Sequence, residues 1–394
     1  MNQEETQKTI HTFTIASFLN DLGSDMIYPI WPRFVLGFLG VDMAILGFID
    51  GLGDAIVSLS QAGSGYLSDR TGKRKVFVWT GYLFGGTSRM GYALSKIISA
   101  WQWLIPFRIL DRSGKMRGAP RDAIIADIST DKNRGRNFGL LRAMDNLGAV
   151  FGIITCLILV NLYSLDFLPT LLIVASVPSL IGATLVFLFI KDQKTNKIHK
   201  GLSLKNLNIN LRLFIILSAL FALGSFSYSF LLIAVGNLNA ETPILPLIEV
   251  QILFYLTFTV VASITSLPFG WLADKTSRRT VLLLSFVFWG LVCFGFPYAT
   301  SLAAFAALFI LYGLHKGAIE PSQRALVSEL APTEYRASTL GAFQMITGLF
   351  ALPASFVAGV LWENLESFAP FYLSLILTAV ASLLLLFVKE NRRS

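Results

Sequence analysis

Charged residues spaced one helical turn apart stand inside apolar stretches of this chain. Asp21 and Asp25 form one such pair, and Arg142 and Asp145 form another. Residues three or four apart share one face of a helix, so the two charges of each pair lie on the same side. A carboxyl group in apolar surroundings can take up and release a proton, whereas the alternative for Asp25 is a structural acid neutralised by an arginine. The pattern predicts groups that carry protons or bind a charged solute.

The segment "FRILDRSGKMRGAPRD" adds a second cluster. Arg108 is expected at the middle of a helix, with Asp111 one turn later. Arg108 can bind an anionic substrate or neutralise Asp25. The basic residues that follow are interpreted as cytoplasmic and structural: Arg112, Lys115, Arg117 and Arg121.

A third cluster lies in "YGLHKGAIEPSQRA". His315, Lys316 and Glu320 bring together three titratable side chains. The spacing of Lys316 and Glu320 predicts an ion pair along a helix. His315 is either a proton relay or a hydrogen-bonded structural group.

These residues belong to a membrane protein. Of the 394 residues, 54% are hydrophobic and only 14% are charged, whereas a soluble domain has about 25% charged residues. A spanning helix needs about 20 largely apolar residues. By that measure the chain is all-α and holds about twelve spans, near 11–39, 43–68, 75–95, 100–122, 138–163, 167–190, 212–236, 246–271, 279–298, 301–321, 338–362 and 367–388.

Lysine and arginine are concentrated in alternate loops, which are therefore predicted to be cytoplasmic. An even number of spans then places both termini in the cytoplasm. The longest polar stretch is interpreted as a basic linker, 191–211, between two six-helix halves, 1–190 and 212–394. The net charge of +8 lies in short clusters between apolar runs, so we expect no nucleic-acid partner.

Two segments repeat. "GYLSDRTGKRK" starts at Gly65 and "GWLADKTSRR" starts at Gly270, 205 residues later. A second pair, "PRDAIIADIS" and "QRALVSELA", aligns Asp127 with Glu329. Parallel repeats of this kind are typical of secondary transporters.

The chain resembles the major facilitator superfamily over nearly its whole length. The resemblance rests on the pattern G-x-L-x-D-x-x-G-R/K-R/K, which the second copy keeps except for Ser277 in place of the second glycine. In that family the motif acts as a conformational latch, and for the basic run the alternative is a role in topology alone. The implied latch residues are Gly65, Asp69, Arg70, Gly72, Lys73, Arg74, Gly270, Asp274, Arg278 and Arg279.

Further segments resemble a bacterial subgroup of this family: "SDMIYP", the block from Asp111 to Asp127, and the block from Tyr312 to Ala325. Gly148 and Gly152 form a G-x-x-x-G pattern that predicts close helix packing, and Pro353 is assigned a similar packing role. Antiporters of the family carry a proline directly after a glycine of this motif, whereas in this chain Ile153 follows Gly152, which weakens the case for an exporter.

The resemblance implies a secondary active transporter that moves a small solute across the bacterial inner (plasma) membrane by alternating access. Proton-coupled efflux is favoured, and the alternatives are a proton-coupled importer, a uniporter or a non-transporting sensor. We expect no cofactor, because the proton gradient supplies the energy and no Walker loop is present. We expect no enzyme and no metal site, because the chain has no nucleophile constellation, H-E-x-x-H motif or cysteine cluster. The expected partners are the solute, protons and the lipid bilayer, and the resemblance implies a monomer.

Overall fold

The computed structural model describes residues 3–98, 100–130, 133–163, 167–191, 208–237, 246–331 and 336–390, and within these ranges it contains helices and no strand. The contacts divide the chain into two units. Unit 1 comprises Met1–Val41 and Ile56–His199, and unit 2 comprises Asp42–Ala55 and Lys200–Ser394. Most of the predicted linker, 191–211, lies outside the described residues.

The helices of the first half follow the predicted spans with two interruptions. They are α1 (Gln3–Asp25), α2 (Met43–Thr71), α3 (Arg74–Ile98), α4 (Leu104–Ser113), α5 (Gly118–Ile128), α6 (Arg134–Tyr163) and α7 (Leu168–Phe189). In unit 1, α1 packs against α6 and α7, and α3 packs against α4 and α7. Phe13, Val78, Tyr82 and Leu141 are among the buried residues of its core.

The predicted span 11–39 contains Pro29 and Pro32, which can break or kink a helix, and the structure shows a break there. Helix α1 ends at Asp25, and a turn leads to the short helix Trp31–Arg33 and the π-helical turn Phe34–Phe38. Pro29 lies in the turn, and Pro32 is the second residue of the short helix. Proline has no backbone N–H to donate, so it is accepted in turns and in the first turn of a helix but not in a helix interior.

The predicted fourth span, 100–122, is longer and divided. Helix α4 passes through a 3₁₀ turn, Gly114–Arg117, into α5, which ends at Ile128. The turn lies close to α3: a Cβ added at Gly81 would be 2.6 Å from the carbonyl oxygen of Gly114. The charged segment is therefore held inside unit 1.

The helices of the second half are α8 (Ile209–Leu223), α9 (Tyr228–Ala234), α10 (Leu247–Lys275), α11 (Arg278–Gly295), α12 (Leu302–Leu330), α13 (Arg336–Asn364) and α14 (Ala369–Leu385). The predicted span 212–236 is divided into α8 and α9, and the Ser227 hydroxyl caps α9 by accepting from the N–H of Ser229. The packing of the first half recurs: α8 contacts α13 and α14, and α11 contacts α12 and α14.

Among the described residues, eight helical segments are long and apolar enough to cross a membrane, and α14 is a shorter apolar helix. The predicted spans 11–39, 75–95 and 100–122 are not among the eight. Helix α3 and the α4–α5 pair carry buried charged side chains, including Arg89 and Arg108, and α1 carries the partly buried Asp21 and Asp25. The same charges that lower the hydropathy of these spans form the candidate site.

Candidate functional site

The first group of charges in unit 1, here called the carboxylate cluster, joins α1, α5, α6 and the turn before α5. Its members are Asp21, Arg117, Arg121, Asp122, Arg142 and Asp145. Arg117 Nη2 lies 3.7 Å from Asp21 Oδ1. Arg121 Nη1 lies 3.7 Å from Asp145 Oδ1, and its Nε lies 3.1 Å from Asp122 Oδ1.

The predicted pairing of Arg142 with Asp145 is confirmed. The Nη1–Oδ2 distance is 3.3 Å, and Arg142 Nη2 also lies 3.3 Å from Asp122 Oδ2. Arg142 is half exposed, whereas 14% of the Asp145 side chain is exposed. Arg142 therefore forms the outer edge of the cluster, and Arg121 forms its buried centre.

Asp21 and Asp145 interact electrostatically with each other as well as with these arginines. Two nearby carboxylates repel while both are ionised, and a proton on either one removes that repulsion. The guanidinium groups of Arg117 and Arg121 remain positive throughout, so they can hold the cluster together in either protonation state. The carboxylate cluster thus joins partly buried acids to arginines on two neighbouring elements, and Asp21, Asp122 and Arg142 reach its exposed side.

The second group, here called the arginine cavity, lies further along α1. It is lined by Ser24, Ile27, Tyr28, Trp31, Arg89, Tyr92, Arg108 and Asp111. The guanidinium carbon of Arg108 lies 4.3 Å from the centre of the Trp31 ring, a cation–π contact.

Arg112 stands beside the arginine cavity and stabilises its wall. It donates from Nη1 to the Tyr28 hydroxyl at 2.9 Å, and its Nε lies 3.7 Å from Asp111 Oδ2. The Ser88 hydroxyl also donates to Asp111, at 3.4 Å. The one carboxylate of the cavity is therefore engaged by neighbouring donors.

Asn20 connects the two groups. Arg89 Nη1 donates to the hydroxyl of Ser179 at 2.5 Å, and that hydroxyl donates to Asn20 Oδ1 at 3.1 Å. Asn20 Nδ2 then donates to Asp21 Oδ1 at 2.8 Å. A continuous chain of hydrogen bonds thus runs from the arginine cavity to the carboxylate cluster.

Three of the basic residues after Asp111, which the sequence predicts to be cytoplasmic and structural, are buried in unit 1 and contact its polar groups. Arg112, Arg117 and Arg121 are 8%, 7% and 6% exposed. The 3₁₀ turn keeps this segment against α3, so these side chains point into unit 1 rather than away from it. Asp25, the last residue of α1, is partly exposed and makes a polar or electrostatic contact there.

Sequence reasoning missed Arg89, Tyr92 and Asn20. The signal for Arg89 was present, because it is a lone arginine within the predicted span 75–95, where an unneutralised charge is costly. Tyr92 and Asn20 carry no charge, and only their neighbours in space give them a role.

In unit 2 the residues of the third cluster separate. His315 is buried, and its Nδ1 donates to the carbonyl oxygen of Ser285 at 2.9 Å. Phe221 and Trp289 pack around its ring. These contacts favour the structural alternative for His315.

Lys316 and Glu320 do not form the close ion pair that their spacing predicted. Glu320 Oε1 is bound instead by Arg324 Nη2 at 2.6 Å, one turn further on. The Lys316 ammonium lies 5.3 Å from the centre of the Tyr312 ring and interacts electrostatically with Asp54. Glu320 thus has a basic residue four positions away on either side, and the side-chain conformations decide that it pairs with Arg324 and not with Lys316.

Asp50 is a further buried acid of unit 2 that the site prediction omitted. It is 3% exposed, and its Oδ2 accepts from the hydroxyls of Ser227 at 2.7 Å and Ser229 at 2.5 Å. The hydroxyls lie at the start of α9, so this carboxylate helps to fix the break between α8 and α9.

The two copies of the loop motif each form an ion-pair bridge within their own unit. Arg74 binds Asp69 at 3.0 Å and Asp127 at 2.5 Å. Arg278 binds Asp274 at 3.4 Å and also binds Glu329. The adjacent Arg279 donates instead to the carbonyl oxygens of Leu386 and Val388, at 3.1 and 3.0 Å. Gly65 packs against Ala119, and an added Cβ would be in ordinary van der Waals contact with it, 3.5 Å from the Ala119 Cβ.

The predicted packing at the glycines of α6 is confirmed. A Cβ at Gly148 would lie 2.4 Å from the carbonyl oxygen of Phe18, and one at Gly152 would lie 2.3 Å from that of Leu22. Pro353 lies inside α13 next to Leu352, whose backbone would be 2.7 Å from a Cβ at Gly51. Small residues thus allow backbone-to-backbone contact in both units.

The comparisons with known proteins agree with this architecture. The family model of the Major Facilitator Superfamily matches residues 13–251 and 213–394. The chain is 36% identical over 392 residues to an uncharacterized MFS-type transporter of Methanocaldococcus jannaschii, MJ1317, covering 98% of this chain and 96% of the relative. It is 24% identical over 351 residues to the uncharacterized protein Rv2265 of Mycobacterium tuberculosis, covering 83% and 80%.

A solved structure shows the same fold. The nucleoside transporter NupG superposes with a TM-score of 0.75 at 15% identity, covering 96% of this chain and 97% of that one. At 15% identity, this similarity shows the fold of the chain and does not show which solute it carries. The extent of the family match and the 36% identity to MJ1317 establish the class. This chain is a multi-span membrane transporter that belongs to the major facilitator superfamily.

Proposed function

We propose that this transporter couples the movement of a small solute to protons by alternating access, in the direction of export. The observation that carries the proposal is the hydrogen-bonded connection through Asn20 between Arg89 and Asp21. A coupled transporter needs a group that binds the solute, a group that binds the proton, and an interaction free energy between them. Unit 1 offers all three within a few turns of α1.

In this proposal Asp21 and Asp145 are the proton carriers. When Asp21 takes up a proton, the hydrogen bond that it accepts from Asn20 weakens, because a neutral carboxyl group is a poorer acceptor than a carboxylate. Asn20 is also bound to Ser179, which orients Arg89. Protonation of the carboxylate cluster thereby changes how Arg89 is held at the arginine cavity, and solute binding there changes the affinity for the proton by the same factor.

Export is supported by the segment from Arg108 to Gly114, which resembles the R-x-x-x-x-x-G motif in the fourth helix of proton-coupled exporters of the family. Import is the second candidate, and the residue that favours it is Ile153, which stands where antiporters of the family carry a proline. We further propose that the protein lies in the inner (plasma) membrane as a monomer, with both termini in the cytoplasm, as the loop charges predict.

The test is proton movement in proteoliposomes that contain the full chain and a trapped pH dye. Carboxylates, amino acids, sugars and lipophilic cations are added in turn, to the wild type and to Asp21→Asn and Asp145→Asn. We expect a solute that triggers proton flux in the wild type and none in either variant, while exchange of labelled solute continues. The sign of the flux relative to the solute gradient distinguishes export from import. Solute flux with no proton flux in the wild type would refute coupling and leave uniport.

A further inference from the structure

We infer that the arginine cavity binds the oxyanion head of an anionic solute, namely a carboxylate or a phosphate group. This inference rests on the proposed transport function for its biological meaning, but it names a binding site that can be tested without transport.

The first argument is charge. Two arginines, Arg89 and Arg108, line the cavity together with one carboxylate, that of Asp111. Arg89 and Arg108 are each 2% exposed. Buried arginines raise the electrostatic potential of the space that they line, so an anion is favoured there over a cation or a neutral group.

The second argument is how Arg89 is held. Its four hydrogen bonds all go to neutral acceptors: the carbonyl oxygens of Ala175 and Asn20 and the hydroxyls of Ser179 and Ser24. These bonds orient the guanidinium group without neutralising it. Rigid orientation of a positive group is what a site for an anion requires, because less conformational entropy is lost when the ligand binds.

The third argument is an unused donor. The Tyr92 hydroxyl is buried and has no hydrogen-bond partner among the described residues, and Tyr92 lines the same cavity. A buried hydroxyl without a partner costs free energy that a bound acceptor would recover. Arg89, Arg108 and Tyr92 line the same space, and a carboxylate or phosphate oxygen there has the lone pairs to accept from the Tyr92 hydroxyl beside a positive guanidinium group.

The size of the cavity limits what enters it. The cavity measures about 10 Å³, which is room for a single water-sized group. It therefore holds one oxygen of the anionic head, and the body of the solute remains outside. Tyr28 is the partly exposed member of the lining, and the other lining residues are buried. The body of the solute is expected on the Tyr28 side, where Arg112 holds the Tyr28 hydroxyl.

The experiment measures equilibrium binding to the purified full chain in detergent by titration calorimetry at constant ionic strength. The probes are benzoate, inorganic phosphate, the cation tetraphenylphosphonium and glucose. We expect benzoate or phosphate to bind, and the stronger of the two identifies the head group. Tetraphenylphosphonium and glucose are not expected to bind at this site.

Three variants locate the binding. Tyr92→Phe removes only the unpaired hydroxyl, so we expect an unchanged or higher Tm without ligand and an affinity for the anion that is lower by about tenfold. Arg108→Gln should abolish binding. The matched control is Arg212→Gln, at an exposed arginine of unit 2, which should bind the anion like the wild type.

The inference is overturned if neither anion binds, or if anion binding is the same in the wild type, Tyr92→Phe and Arg108→Gln. Its failure is distinguishable from failure of the proposed function. Proton-coupled flux of a cation or a neutral solute without anion binding refutes the anion site and leaves coupled transport standing. Anion binding that is weakened in Tyr92→Phe and lost in Arg108→Gln, without any anion-triggered proton flux in proteoliposomes, supports the site and contradicts the proposed proton-coupled transport of that anion.

Discussion

Arg74 and Asp127 form an ion pair between positions 53 residues apart, with Nη1 2.5 Å from Oδ2. The second repeat forms the matching bridge between Arg278 and Glu329, yet Arg278 aligns with Lys73 and not with Arg74. The bridging arginine is thus one residue earlier in the second copy. The reason is local: Gly72, at φ 68°, ends α2 in a left-handed turn, whereas its counterpart Ser277 is extended and caps α11.

The shifted position of the arginine predicts different effects at aligned positions. Arg74→Gln leaves two carboxylates without their shared buried cation, so we expect the free energy of unfolding to fall by about 1–3 kcal/mol. Arg278 and Asp274 are 30% and 70% exposed, so Arg278→Gln should lower the free energy of unfolding by less, about 1 kcal/mol. Lys73→Gln, at the position that aligns with Arg278, should change stability by less than about 0.5 kcal/mol. Thermal unfolding of the three purified variants in one detergent checks this. Equal losses for Lys73→Gln and Arg74→Gln would contradict the pairing.

The left-handed turn makes a second prediction. Gly72→Ala forces a side chain into a backbone conformation that alanine adopts only with strain, so we expect a loss of about 1 kcal/mol and a lower Tm. Gly63→Ala, inside α2, is the control, since an added Cβ there meets nothing within 4 Å. It should leave the Tm unchanged or raise it. A larger loss at Gly63 than at Gly72 would contradict the role of the turn.

Close packing of α1 on α6 makes a third prediction. Gly152→Ala places a Cβ 2.3 Å from the backbone carbonyl oxygen of Leu22, which cannot turn aside as a side chain can. The helices must separate, and we expect a loss of about 1–3 kcal/mol, seen as a lower Tm or poor recovery of folded protein. Gly139→Ala in the same helix meets nothing within 4 Å and should behave like the wild type. A tolerated Gly152→Ala with an unchanged Tm would mean that the two helices are further apart.

The connection through Asn20 makes a fourth prediction. Asn20→Leu interrupts the hydrogen-bond chain between Arg89 and Asp21 while it keeps a side chain of similar size. We expect labelled solute to exchange across proteoliposomes while the number of protons moved per solute falls at least threefold. Ser179→Ala should act in the same direction with a smaller effect, because Arg89 keeps its other acceptors.

The control for this prediction is Ser95→Ala, at a buried serine that donates to the carbonyl of Gly91 in its own helix. It should leave the proton-to-solute ratio unchanged. A normal ratio in Asn20→Leu would show that coupling takes another route.

The sequence by itself determined the class of this protein. The length of each apolar run, compared with the thickness of a bilayer, predicted the spans, and the repeated loop motif predicted two related halves. Both signals can be read from the sequence because each is formed by residues that are neighbours along the chain. Local spacing also predicted the Arg142–Asp145 pair, the break at Pro29 and Pro32, and the close contact at Gly148 and Gly152.

Only the tertiary structure decided which polar groups meet. Glu320 has basic residues four positions away on either side, and the fold selects Arg324. Arg89, Tyr92 and Asn20 acquire their roles from residues up to 159 positions distant. A hydrogen bond acts over about 3 Å, so partners far apart in sequence are fixed by helix packing. The charges of this chain follow from its composition, and their division into a carboxylate cluster and an arginine cavity follows from the way α1 packs against its neighbours.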